Sequence, residues 1–240
     1  MSILTNCEIK CDCGEKFEAE VWKAVNIFDD PDLKEVVLSG RFNTVCCPKC
    51  HKVFYKEHFF IYQDLANELI AYVYPKDGQN MAAQYREKML KDFKAASAEI
   101  EGFEEIDFEP VLFFGIEDLI QTIQNEDYNK DEIDILNFIA KEAELELIKI
   151  KPSVARNLGI VHTIPKIKKS RRGKDSNSGS DAGGEKYIEK DIKKDIVAGL
   201  EALIKYNPNL VEYGKLLERI KSNVSCLDEI LRHKKIKKAK

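Results

Sequence analysis

Hydrophobic and polar positions alternate along the first part of the chain and then change period. KFEAEVW (16–22) repeats every second residue, as do stretches of FFIYQ (59–63) and LIAYVYP (69–75), with turn-forming residues between them. This pattern predicts a small β module over residues 1–75. From Gln79 to Ile100 the spacing shifts to three and four, with Met81, Tyr85, Met89, Leu90 and Phe93 on one face, which predicts a helix. EPVLFFG (109–115) reads as a short buried strand. Two more helices are expected at about 116–125 and 131–144, the second striped by Ile133, Leu136, Phe138, Ile139, Ala143 and Leu147.

Beyond residue 150 the pattern thins. PKIKKSRRGKDSNSGSDAGGEK (165–186) has almost no apolar side chain to bury and reads as a basic Ser/Gly-rich linker. Ile188, Ile192, Ile196, Leu200 and Leu203 then step along one helical face, and Asn207-Pro208 breaks the run. Tyr213, Leu216, Leu217, Ile220, Val224, Leu227 and Leu231 begin another helix, so an αα-hairpin with a basic tail is expected. A hairpin of about fifty residues seldom has enough core to stand alone. Its apolar stripe therefore calls for a further surface: the first domain, a second copy or a partner protein. The expected architecture is α+β, with a domain at 1–150, a linker at 151–186 and a helical hairpin at 187–240.

Charge divides the chain in the same place. The net charge is −4, but residues from 151 onward hold 22 Lys+Arg against 11 Asp+Glu, while the first 150 hold 16 against 31. No apolar run approaches the roughly 20 residues that span a bilayer. The opening MSILTNCEIKCDCG has neither a basic nor an apolar leader-like region, so a cytoplasmic protein without a membrane anchor is expected. Seven cysteines are an odd number for disulfides, and six of them fall within the first fifty residues, which favours metal binding.

Two tight knuckles carry that chemistry. Cys11-Asp12-Cys13-Gly14 and Cys47-Pro48-Lys49-Cys50 each adjoin strand-like runs, and Zn²⁺ takes four thiolates in a tetrahedron. The expected ligands of one structural zinc ion are Cys11, Cys13, Cys47 and Cys50. The first knuckle is one residue short of the usual spacing, so Cys7 is an alternative. Cys46, beside Cys47, and His51 are others. A redox reading of Cys47 and Cys50 would require the pair to open a helix, whereas HKVFYKEHFF reads as strand.

The order C-x-C-G at 11–14, Val25-Asn26, Pro31, Gly40, Asn43, Cys47-Pro48-x-Cys50 and Tyr62-x-Asp64 resembles the CpXC domain of bacterial and archaeal proteins over residues 7–75. A weaker similarity runs through FFGIEDLIQTI to about Leu147. The resemblance implies a zinc-ribbon-like module built on cysteine pairs. His51 stands where relatives have glycine, and Gln63 where histidine is common.

Other side chains point to chemistry less strongly. Tyr62, Asp64, Asn26 and Asn43 could form a polar site, but Asp64 suits a turn cap and Tyr62 a buried ring. His58 and His162 lack partners for a nucleophile, base and orienter, and the carboxylates of EIEGFEEIDFE identify no reaction. The basic run 166–174 and the tail HKKIKKAK could contact phosphates, although no aromatics are interleaved for base stacking. The functional expectation is a non-enzymatic, zinc-binding adaptor for a protein partner, with self-association through the C-terminal helices as an alternative partner mode. Nucleic-acid binding and a metal-dependent enzyme are the rival classes.

Overall fold

LIAYVY (69–74) is buried at every position, and this one strand organises the amino-terminal half. The computed structural model describes residues 1–99, 106–168, 184–222, 227, 228 and 231. It divides into two compact units, Met1–Asp127 and Tyr128–Lys240. The first contains β1 (Ile3–Lys10), β2 (Lys16–Asn26), α1 (Asp32–Leu38), β3 (Thr44–Cys46), β4 (Val53–Tyr55), β5 (Phe60–Asp64), β6 (Leu69–Tyr74), α2 (Ala82–Glu99) and β7 (Val111–Phe114). It also holds the start of α3 (Glu117–Glu142), which runs on into the second unit.

Five strands form a mixed sheet in the order β1-β2-β5-β6-β7. The pairs β1/β2 and β5/β6 are antiparallel; β2/β5 and β6/β7 are parallel. Because side chains alternate across a strand, β6 sends Leu69, Ala71 and Val73 to one face and Ile70, Tyr72 and Tyr74 to the other. The first set packs with Val37 of α1 and with Leu119 and Ile123 of α3. The second packs with Met89 of α2 and a cluster of rings that includes Phe59, Tyr85 and Phe114. The sheet is thus covered on both faces, and the strands read from KFEAEVW, FFIYQ, LIAYVYP and EPVLFFG are all present as its members.

β3 and β4 form a separate antiparallel pair beside the β1–β2 hairpin. A small apolar core of Ile9, Val21 and Val45, lined by Phe17 and Phe54, joins the two hairpins. Asn43 connects this pair to the main sheet. Its side chain accepts from the Trp22 backbone N–H at 2.7 Å and donates to the Trp22 carbonyl at 3.2 Å. Parallel pairing of β2 with β5 starts only at Ala24, so the amide occupies the place of a strand neighbour just before it.

The second unit departs from the sequence expectation in three ways. The helices expected at 116–125 and 131–144 are one continuous helix, α3, because the intervening NEDYNK contains neither proline nor glycine to stop it. The segment from 151 onward does not begin as a linker. Residues 152–158 form α4 (Pro152–Leu158) and residues 163–167 form β9 (Thr163–Ile167), which pairs antiparallel with β8 (Leu145–Lys149). Residues 169–183 of the expected linker lie outside the described residues.

The hairpin of α5 (Gly184–Tyr206) and α6 (Val211–Ser222) is present, and the surface its stripe called for is supplied within the unit. Ile196, Leu200, Leu203, Tyr213, Leu216 and Ile220 share a core with Leu136 and Ile139 of α3 and with Ile148 and Ile164 of the β8–β9 pair. Arg219 donates to the Leu158 carbonyl at 2.5 Å, satisfying the last turn of α4. Val224, Cys226 and residues 232–240 lie outside the described residues.

Candidate metal centre

Each knuckle is the turn of a hairpin. Cys11–Gly14 joins β1 to β2, closed by Cys11 N–H to the Glu15 carbonyl at 2.8 Å and Gly14 N–H to the Cys11 carbonyl at 2.9 Å. Cys47–His51 joins β3 to β4, closed by His51 N–H to the Cys47 carbonyl at 2.9 Å and Cys47 N–H to the Lys52 carbonyl at 3.0 Å. Both turns end in the left-handed region, at φ 88° for Gly14 and φ 57° for His51. Histidine is among the side chains that tolerate this conformation, which explains how His51 serves where a glycine would be easier.

The common apolar core holds the two turns face to face. Cys11 Sγ lies 3.6 Å from Cys50 Sγ, and Cys13 Sγ lies 3.7 Å from Cys47 Sγ. All four sulfurs are within 4.8 Å of one another, a set that could hold a metal ion. A tetrahedron with metal–sulfur bonds of about 2.3 Å has edges of about 3.8 Å, whereas a disulfide would need about 2.05 Å. The spacing fits coordination and not covalent pairing. Cys11 and Cys47 are buried, and Cys13 and Cys50 are exposed.

Backbone dipoles are aimed at the sulfurs. The N–H of Cys50, with that of Lys49, draws the Cys47 thiol down to about 7 in spite of its burial. At Cys11 the N–H of Cys13 favours the thiolate, but burial and the thiols of Cys13, Cys47 and Cys50 outweigh it and push the group up to about 12. Four thiols this close cannot all ionise unless a cation sits among them. Two ion pairs link the knuckles, Lys52 with Asp12 and Lys49 with Glu15 at 3.3 Å. Such exposed pairs contribute at most ~1 kcal/mol each, but they bring two ammonium groups to the rim of an anionic cluster. Lys52 is held above the usual lysine range by Asp12 first, and then by the charges of Cys11 and Cys50.

The other candidate ligands are elsewhere. Cys7 packs into the ribbon core from β1, Cys46 is exposed at the end of β3, and His51 is exposed. Among the described residues, the one group of three or more His, Cys, Asp or Glu able to hold a metal is these four cysteines.

The polar residues that might have formed a second site serve the backbone instead. Asp64 accepts from the Asn67 N–H at 3.2 Å and from its amide at 2.5 Å, fixing the turn between β5 and β6. Asn26 accepts from Phe28 N–H at 3.1 Å, and Asn43 bridges to Trp22 as described. Tyr62 is fully buried in the sheet core, and burial, followed by the charges of Asp64 and Asp127, raises its phenol well above the usual range. His58 is depressed by desolvation first and then by Lys23 and Lys56, while His162 lies 3.4 Å from the Asn129 amide. The bridging role of Asn43 was not readable from sequence, because an Asn before a short strand looks like any turn residue.

A family described as CpXC protein matches residues 9–131, more than half of the chain. The chain belongs to the CpXC family. The match takes in both knuckles, the whole mixed sheet and the first half of α3, so the CpXC domain is the ribbon together with the sheet from which it projects. No curated protein and no solved structure matches the chain. No described helix is long and apolar enough to cross a membrane.

Proposed function

We propose that Cys11, Cys13, Cys47 and Cys50 hold one structural zinc ion and that the protein is a non-enzymatic binding module acting on a protein partner. The observation that carries the reading is the meeting of four thiols, two from each hairpin, at the spacing of a tetrahedral thiolate site. An S₄ donor set selects zinc or iron among the common metals. Four protein ligands close the coordination shell, leaving no open position for a substrate, and that favours a structural role over a catalytic one. Zinc bound there would supply a cross-link between two short hairpins.

Energetics point the same way. The ribbon core has three buried apolar side chains, each worth roughly 2 kcal/mol. Ordering the backbone costs about 1–2 kcal/mol per residue, so the two knuckles need a further tie. Structural zinc sites contribute about 10–16 kcal/mol in small peptides.

The sole tryptophan, Trp22, is bonded to Asn43 at the base of the ribbon and reports on it. Purified protein should contain one zinc per chain, and a strong chelator should shift Trp22 emission to that of an exposed indole, reversed by added zinc. Metal-free protein with native Trp22 emission would refute the zinc reading. Stoichiometric iron would replace zinc in it.

A further inference from the structure

We propose that the basic segment 232–240 lies on an exposed acidic and apolar stripe of α3 in the same chain. The stripe follows from helix geometry. Leu136, Ile139 and Ala140 face the core of the second unit, yet Tyr128, Ile135 and Phe138 are 65%, 54% and 63% exposed. Their spacing of seven and three residues sets them in one line along the helix. Asp131 and Glu142 fall in that line and Asp134 along its border beside Lys141, all exposed. Single exposed apolar side chains are ordinary; three large ones in one acidic stripe are a surface that calls for cover.

Charge and chain path choose the occupant. Leu231 is buried in the same core as Leu136, Ile139 and Ala140, so the residues that follow it start from the packing surface of α3. Those residues, RHKKIKKAK, carry six Lys and Arg, no Asp or Glu, and one aliphatic side chain, Ile236. Nine residues reach about 30 Å when extended, and the stripe from Tyr128 to Glu142 is about 21 Å long. Ile236 can cover apolar surface, lysine stems can lie along the rings, and their ammonium groups can meet Tyr128, Phe138 and the flanking carboxylates. A second copy of α3 fits less well. Parallel pairing would set Asp131 against Asp131, and antiparallel pairing that matches Ile135 with Phe138 would set Asp131 against Glu142.

The test is zero-length carbodiimide cross-linking of the full chain at low salt, with the monomer isolated and mapped by mass spectrometry. Lys234, Lys235, Lys237, Lys238 or Lys240 should join Asp131, Asp134 or Glu142. Phe138→Ser, at an exposed site, should lower those cross-links at least several-fold and speed tryptic cleavage after Lys234 and Lys235 by a similar factor. The Lys215–Glu212 pair on α6, 2.6 Å apart, serves as the internal control. Should Phe138→Ser fold poorly by circular dichroism, Tyr128→Ser makes the same comparison. Cross-links from these lysines only to other acids, or only between copies, would overturn the proposal, as would yields unchanged in the folded variant.

Discussion

Replacing Gly199 by alanine sets two effects of opposite sign against each other. Gly199 is in the interior of α5, where alanine is favoured over glycine by about 1 kcal/mol. The helix, however, lies directly on β9. A Cβ at this position would fall 2.6 Å from Lys166 Cα, 2.8 Å from Lys166 N and 2.8 Å from the Pro165 carbonyl carbon. Ordinary carbon contacts are about 3.5–4.0 Å, and these obstructing atoms are backbone, which cannot rotate aside as a side chain could. α5 would have to retreat by about 1 Å, pulling Ile196, Leu200 and Leu203 from their core. Overpacking of this kind costs about 1–3 kcal/mol, and rigid backbone puts the site at the upper end. The net expectation is a loss of about 2 kcal/mol, or a Tm lower by roughly 8 °C for a unit of this size. Thermal and urea melts followed by circular dichroism at 222 nm measure it. Gly214→Ala is the matched control: it is in α6, its Cβ would meet nothing within 4 Å, and it should gain up to ~1 kcal/mol. If Gly199→Ala melts at or above the parent, the close seat of α5 on β9 is wrong.

Asn43→Ala removes both bonds to Trp22 and leaves a buried N–H and C=O without their partner. It should cost about 3 kcal/mol in urea unfolding followed by Trp22 fluorescence, and a loss under about 0.5 kcal/mol would show that the bridge is dispensable. Cys7→Ser and Cys46→Ser should keep one metal per chain while Cys47→Ser loses it, and the opposite pattern by metal analysis would reassign the ligands. His51→Gly should keep the metal and raise stability by up to ~1 kcal/mol, because glycine relieves the φ of 57°; metal lost from this variant would make His51 a ligand.

The candidate site was legible in the sequence because its chemistry is local. Each knuckle is four residues long, its strands alternate visibly, and cysteine has few other reasons to crowd into fifty residues. The long-range arrangement was not. Nothing in KFEAEVW says that β2 pairs with β1 along most of its length and then with β5 from Ala24 onward, because a parallel partner is set by the crossover and not by the strand. The segment 145–167 was misread for a different reason. LELIK and TIPKI are five residues each, and a proline inside the second argues against a strand that is not at an edge. The αα-hairpin was visible from its stripes, yet its covering surface was missed because those two short strands supply much of it. α3 looked like two helices because its apolar positions serve Leu119 and Ile123 in one core and Leu136 and Ile139 in another.

The proposed zinc site is tested most directly by zinc K-edge X-ray absorption on the purified full chain, read together with metal stoichiometry. One zinc per chain with a first shell of four sulfurs at about 2.3 Å, unchanged in Cys7→Ser, Cys46→Ser and His51→Gly, is the predicted result. A shell containing nitrogen or oxygen, or a chain that carries no zinc while its ribbon is folded, would contradict it.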